Sequence, residues 1–110
     1  MKKKIPKRIK NAIKEIKEKI KQLYRENLDN IILYGSFARG DYSEYSDIDL
    51  LITLKQMNTI SEERKKYIND ISEISLKYDT LVSILPVEAQ QYEKNIKPIF
   101  VNIHKEGVPV

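Results

Sequence analysis

Cysteine and tryptophan are absent from the 110 residues, and histidine occurs once, at His104. Without thiols the chain has no disulfide, no thiolate nucleophile and no Cys-based zinc site. A lone imidazole forms no histidine cluster, which argues against the softer transition metals. No apolar run approaches the ~20 residues of a membrane-spanning helix. The basic start, Met1 to Pro6, lacks the apolar stretch of a signal peptide, so a cytoplasmic protein without a membrane partner is expected.

What is present is charge and aliphatic side chains. Charged residues make up 33% and the apolar set 41%, which fits one globular domain over residues 1–110. The net charge of +4 is unevenly spread. Residues 1–25 hold 11 of the 20 basic and 2 of the 16 acidic residues, leaving nine and fourteen for the remainder. A basic helix on an acidic body can meet a nucleic acid, a nucleotide or an acidic protein, although a solvated lysine face is the commoner meaning of such a run.

Ile9, Ala12, Ile13, Ile16, Ile20 and Leu23 step by three and four from Ile5 onward, predicting an amphipathic helix with Pro6 in its first turn. Ile31 to Tyr34 reads as a buried strand entering Gly35, and Asp47 to Leu54 as a second. A helix is expected from Ser61, with Tyr67, Ile68, Ile71 and Ile74 on its buried face. Asp79 to Leu85 is a third strand stopped by Pro86. Val87 to Asn95 and Pro98 to Lys105 read as short helices, and Val108 to Val110 as a tail or edge strand. That order predicts an α/β (or α+β) domain with helices covering one face of a sheet.

The chemistry concentrates in Gly35-Ser36-Phe37-Ala38-Arg39-Gly40 and Asp47-Ile48-Asp49-Leu50-Leu51-Ile52. A glycine before a helical turn lets backbone amides approach an anion, and Ser36 adds a hydroxyl. On a strand, Asp47, Asp49 and Leu51 share one face. Two adjacent carboxylates repel unless a cation lies between them, and oxygen-only ligands favour Mg²⁺, which shares substrate phosphates. A phosphate turn beside a carboxylate pair points to phosphoryl or nucleotidyl chemistry.

Gly35-Ser36, ten residues, then Asp47-Ile48-Asp49-Leu50 resembles the signature of the nucleotidyltransferase superfamily that includes DNA polymerase β. The longer string from Gly35 to Asp41, with Ser46 to Ile52, is similar to its minimal nucleotidyltransferase (MNT, MntA-like antitoxin) branch. The resemblance implies a nucleotidyltransferase fold, a small mixed β-sheet with helices on one face. It implies AMP transfer from ATP to a hydroxyl acceptor, with a HEPN-domain toxin as partner and a tyrosine of that toxin as acceptor. It also implies catalytic, metal-binding Asp47 and Asp49 with two Mg²⁺ ions, and a third carboxylate for which Asp79 is the candidate and Asp70 the alternative. Asp79 would also serve as general base. Gly35, Ser36 and Arg39 would bind the nucleotide. The alternative is a non-catalytic, nucleotide-responsive module that neutralises a HEPN partner by contact. Nucleic acid is the weakest expectation, because the basic helix lacks interleaved aromatic residues.

Overall fold

A β-strand that is apolar on both faces needs cover on both, and this decides the layering. In the computed structural model, which describes residues 4–94 and 97–110, the central strand is β2, Ile48–Leu54. It lies between β1, Leu28–Tyr34, and β3, Val82–Glu88, while β4, Val108–Pro109, lies beyond β1. The pairings β1·β2 and β1·β4 are antiparallel and β2·β3 is parallel, so the sheet is mixed, as expected.

Ile48, Leu50, Ile52 and Leu54 pack on one side with Ile31 and Leu33. Two long helices cover them: α1, Lys7–Tyr24, through Ile9, Ala12, Ile16 and Ile20, and α3, Ile60–Tyr78, through Tyr67, Ile71 and Ile74. Each fully buried isoleucine contributes about 1.5–3 kcal/mol relative to exposure. Leu23, expected in the stripe, is 38% exposed, and Tyr24 takes the buried place at the end of α1.

The other side differs from the one-face arrangement expected. Ile32, Leu51 and Val87 project there and would meet water if left bare. Tyr92 of α4, Ala89–Lys94, and Phe100 and Ile103 of α5, Pro98–Glu106, cover them. Helices therefore lie on both faces, the long pair opposite the short pair. Asn95, the expected end of the fourth helix, lies outside the described residues, as do residues 1–3.

Pro86 does not stop β3, contrary to expectation; the strand runs through it and pairs it with Ile52. The Ile48 amide donates to the Leu81 carbonyl, so alternation turns position 86 toward the outer edge, where a missing N–H breaks no ladder bond.

At the start of α3, the Thr59 hydroxyl accepts from the Glu62 amide and caps the helix. The next residue, Glu63, is 1% exposed, which requires full pairing of its carboxylate. It receives the Tyr24 hydroxyl at 3.0 Å, the Asn58 amide at 2.9 Å and Lys66 at 3.1 Å. Burial pushes the Glu63 pKa up, but these three donors outweigh it and hold the carboxyl below its ordinary value.

Glu63→Ala leaves the Asn58 amide unpaired and the Tyr24 hydroxyl with only the residue-63 carbonyl at 3.4 Å, so it is expected to cost about 1–3 kcal/mol in urea unfolding. Because the folded pKa is lowered, the ionised carboxylate stabilises the fold above the unfolded value of about 4.3. That contribution is lost as pH falls through the folded value, so the wild-type advantage should shrink in acid.

Candidate active site

β1 ends at Tyr34 and the chain turns at Gly35, whose φ of 78° favours glycine. A Cβ built on Gly35 would stand 2.3 Å from the Asp49 Oδ2 atom. No side chain fits there, so glycine lets the turn lie directly against the carboxylate. The short helix α2, Ser36–Arg39, follows, with Phe37 and Ala38 buried, and Gly40 closes it at φ 86°. The Ala38 and Arg39 amides donate to the Gly35 carbonyl, while the first amides of a helix have no intrahelical acceptor. Phe37 stacks on Tyr42 at 4.8 Å, and the Ser43 amide donates to the Ser46 hydroxyl at 2.8 Å. These contacts fold the stretch that returns the chain to β2.

Asp49 pairs across the sheet with Tyr34 on one side and Ser83 on the other. Residues opposite one another share a face, so the Tyr34 hydroxyphenyl, the Asp49 carboxylate and the Ser83 hydroxyl belong to one surface. Burial pushes the Asp49 pKa up, and the charge of Asp47 adds to this; the Arg39 guanidinium works in the opposite direction. Tyr34 is raised by burial and then by the charge of Asp49. The charge of Asp47 is thus felt at Asp49, where it adds to burial in disfavouring the ionised form.

Asp47 is exposed at the entrance to β2 and lines an open cleft of about 690 Å³. Asp79 lines the same cleft. It caps α3 in the left-handed conformation at φ 50°, its amide bonded to the carbonyls of Leu76 and Ser75. Arg8 reaches over from α1 and donates to the carbonyls of Tyr78 and Asp79. Asp70 lies elsewhere, in a groove between α1 and α3 with Glu15 and Glu18, so the alternative third carboxylate does not share this cleft.

Among the described residues no three acidic, histidine or cysteine side chains come close enough to hold one ion. Asp79 is thus near Asp47 along the cleft without joining a three-acid cluster. The β3 residue that the register places beside Asp49 is Ser83. Asp47 and Asp49 are oxygen-only donors of the kind that suits one Mg²⁺, one of them half-buried under like charge. Arg39 lies in the turn but holds Asp41 at 3.1 Å and Glu106 of α5 at 3.2 Å.

The described chain therefore offers a glycine turn against Asp49 and a cleft that opens on Asp47. The nucleotidyltransferase domain family matches residues 13–105. The chain belongs to that family. Its relative from Methanocaldococcus jannaschii named "Putative protein adenylyltransferase MJ0141" is 46% identical over 99 residues, covering 89% of this chain and 94% of that protein. A chain from a crystal structure of a toxin–antitoxin with AMP-PNP superposes with a TM-score of 0.59 at 16% identity, covering 90% of this chain and 69% of the other. A chain from the tri-AMPylated Shewanella oneidensis HEPN toxin in complex with an MNT antitoxin gives 0.54 at 14%, covering 93% and 70%. At these identities the two structures show a shared fold.

Tyr34 is legible in the sequence as the strand residue that enters Gly35, whereas the place of Ser83 beside Asp49 becomes visible only through the parallel register. The same holds for Glu106, which meets Arg39 from the far end of the chain.

Gly35→Ala is expected to lower nucleotidyl transfer by about tenfold or more, since ~1–2 kcal/mol of backbone cost adds to displacement of Asp49. Initial rates at saturating nucleotide, with a melting curve as control, check this.

Asp49→Asn should melt higher than wild type at neutral pH without added divalent cation, by roughly 1–4 °C after allowance for solvent screening. The folded pKa is raised, so between the unfolded value of about 3.9 and the folded one the native state holds the extra proton. Stability then falls as pH rises through that window, and the difference between the proteins should vanish near the acid end. Calorimetry across that range measures it.

Proposed function

We propose that this nucleotidyltransferase transfers AMP from ATP to a hydroxyl of a protein partner, a tyrosine of a HEPN-domain toxin, and so acts as its antitoxin. The observation that carries the reading is the Asp47–Asp49 pair set against the glycine turn. The adenylyltransferase name of the 46%-identical relative supports the nucleotide and the protein acceptor. The AMP-PNP complex and the AMPylated HEPN toxin among the structural neighbours support the partner.

In this reading Asp47 and Asp49 would hold Mg²⁺, which would supply charge neutralisation for the nucleotide phosphates. Gly35 brings the first amides of α2 and the Ser36 hydroxyl to the triphosphate. Arg39 reaches a phosphate oxygen by exchanging one of its two carboxylate partners. The acceptor oxygen attacks the α-phosphorus, a phosphodiester bond forms, and the bond to the pyrophosphate oxygen breaks. The hydroxyl proton passes to Asp79 in the cleft wall, and pyrophosphate leaves with the bridging oxygen. Asp79 here acts as base on the acceptor side and not as a third metal ligand, in keeping with its separation from a three-acid cluster.

A second reading draws on that same separation. A carboxylate pair without a third acid also suits a module that binds nucleotide and partner with little turnover.

Incubation with α-labelled ATP and Mg²⁺, with and without a HEPN partner, separates the two. Label is expected on the partner with wild type and not with Asp47→Ala plus Asp49→Ala. Mg²⁺ is expected to raise the melting temperature of wild type and leave that double variant unmoved. Tight partner binding without label from any nucleoside triphosphate would sink the enzyme and leave the contact module.

A further inference from the structure

The three most exposed large apolar side chains among the described residues are Tyr45 at 85%, Leu76 at 83% and Leu81 at 68%. They come from three separate segments: the stretch before β2, the last turn of α3 and the residue before β3. All three line the 690 Å³ cleft that contains Asp47 and Asp79. Scattered surface leucines need no explanation, but convergence of the most exposed ones on one concavity marks a binding surface. Nothing in the packing requires them, since the apolar cores on both faces of the sheet close without them.

The position within the site tells which substrate this surface meets. Gly35 touches Asp49, on the turn side of the carboxylate pair, while the cleft opens on Asp47, at the other end of that pair. A nucleotide held against the glycine turn leaves the cleft for the second substrate, with Asp47 between the two. The cleft's charged side chains are Glu44, Asp47 and Asp79 against Arg8, and Arg8 is already bonded to the Tyr78 and Asp79 carbonyls. Its net character is apolar and acidic.

We propose that Tyr45, Leu76 and Leu81 form the acceptor-docking surface, which receives an apolar polypeptide segment carrying the hydroxyl side chain and flanked by lysine or arginine. This rests on the protein-nucleotidylating reading above. The apolar walls grip the residues around the acceptor, and the acidic side chains attract the flanking cations. Specificity for the acceptor thus resides in side chains other than the carboxylate pair.

The test uses the peptide acetyl-Lys-Leu-Tyr-Leu-Lys-amide and its counterpart with glutamate in place of both lysines. Titration of ¹⁵N-labelled protein, with ATP and Mg²⁺ present, is expected to shift the amides of Tyr45, Leu76 and Leu81. The lysine-flanked peptide should bind more tightly than the glutamate one. Leu76→Ser with Leu81→Ser should weaken its binding by about tenfold or more, equivalent to ~1.4 kcal/mol, while ATP affinity stays within about twofold.

No shift in the cleft, equal affinity for both peptides, or a variant that binds peptide as wild type does would overturn the proposal. Loss of ATP affinity in the variant would overturn it too, assigning the cleft to the base. Peptide docking in the cleft without transfer of label supports the docking surface while sinking the adenylyl-transfer reading. Label transferred by the variant at the wild-type rate sinks the docking surface alone.

Discussion

The close approach of Gly35 to Asp49 governs the site. With Oδ2 of Asp49 only 2.3 Å from where a Cβ of residue 35 would stand, the turn after β1 and the carboxylate of β2 cannot be adjusted separately. The antiparallel pairing of Tyr34 with Asp49 sets the two strands in register, and the left-handed φ of Gly35 directs the chain at once into α2. A side chain at residue 35 would displace the Asp49 carboxylate and be strained by the left-handed φ. The geometry that presents the first amides of α2 beside a carboxylate is therefore a packing consequence as much as an electrostatic one.

The same constraint creates an electrostatic cost. Asp49 is half-buried against the turn, with Asp47 two residues away, and its proton is held more firmly than in a solvated aspartate. The cost is tolerated because the sheet around it is well packed: Ile48, Leu50, Leu51 and Ile52 are fully buried, so the strand does not shift to relieve it. A carboxylate whose ionisation is disfavoured in this way would gain from a cation, which would offset the repulsion without moving the backbone. Glu63 shows the contrasting case, a buried carboxylate whose donors are all supplied by the protein, so it stabilises the fold and has no reason to seek a ligand.

Asp47 has a different position from its partner. Exposed and at the mouth of β2, it belongs both to the carboxylate pair and to the cleft shared with Asp79. The parallel pairing of β2 and β3 brings the beginnings of both strands to the same end of the sheet, which is why the end of α3 and the residue before β3 wall this cleft. Two substrates that must react can meet at such a junction without either crossing the sheet.

Local spacing determined much of this protein. The three-and-four stepping of Ile9 to Ile20, the alternation from Asp47 to Ile52 and the glycine before a serine are properties of neighbours along the chain. Backbone geometry converts each directly into a helix face, a strand face or a turn. The helices and strands were legible for that reason, as was the candidate pair Asp47 and Asp49, but not the ends of β3, which begins at Val82 after Asp79 has capped α3 and runs through Pro86 to Glu88, where a helix was expected from Val87. Tertiary structure alone decided the rest. Which face needed α4 and α5, that Ser83 lies beside Asp49, that Asp79 stays out of a three-acid cluster, and that Arg39 meets Glu106 all depend on strand order and register. Register is chosen by the packing of whole faces, between residues far apart in the chain, and no local period encodes it.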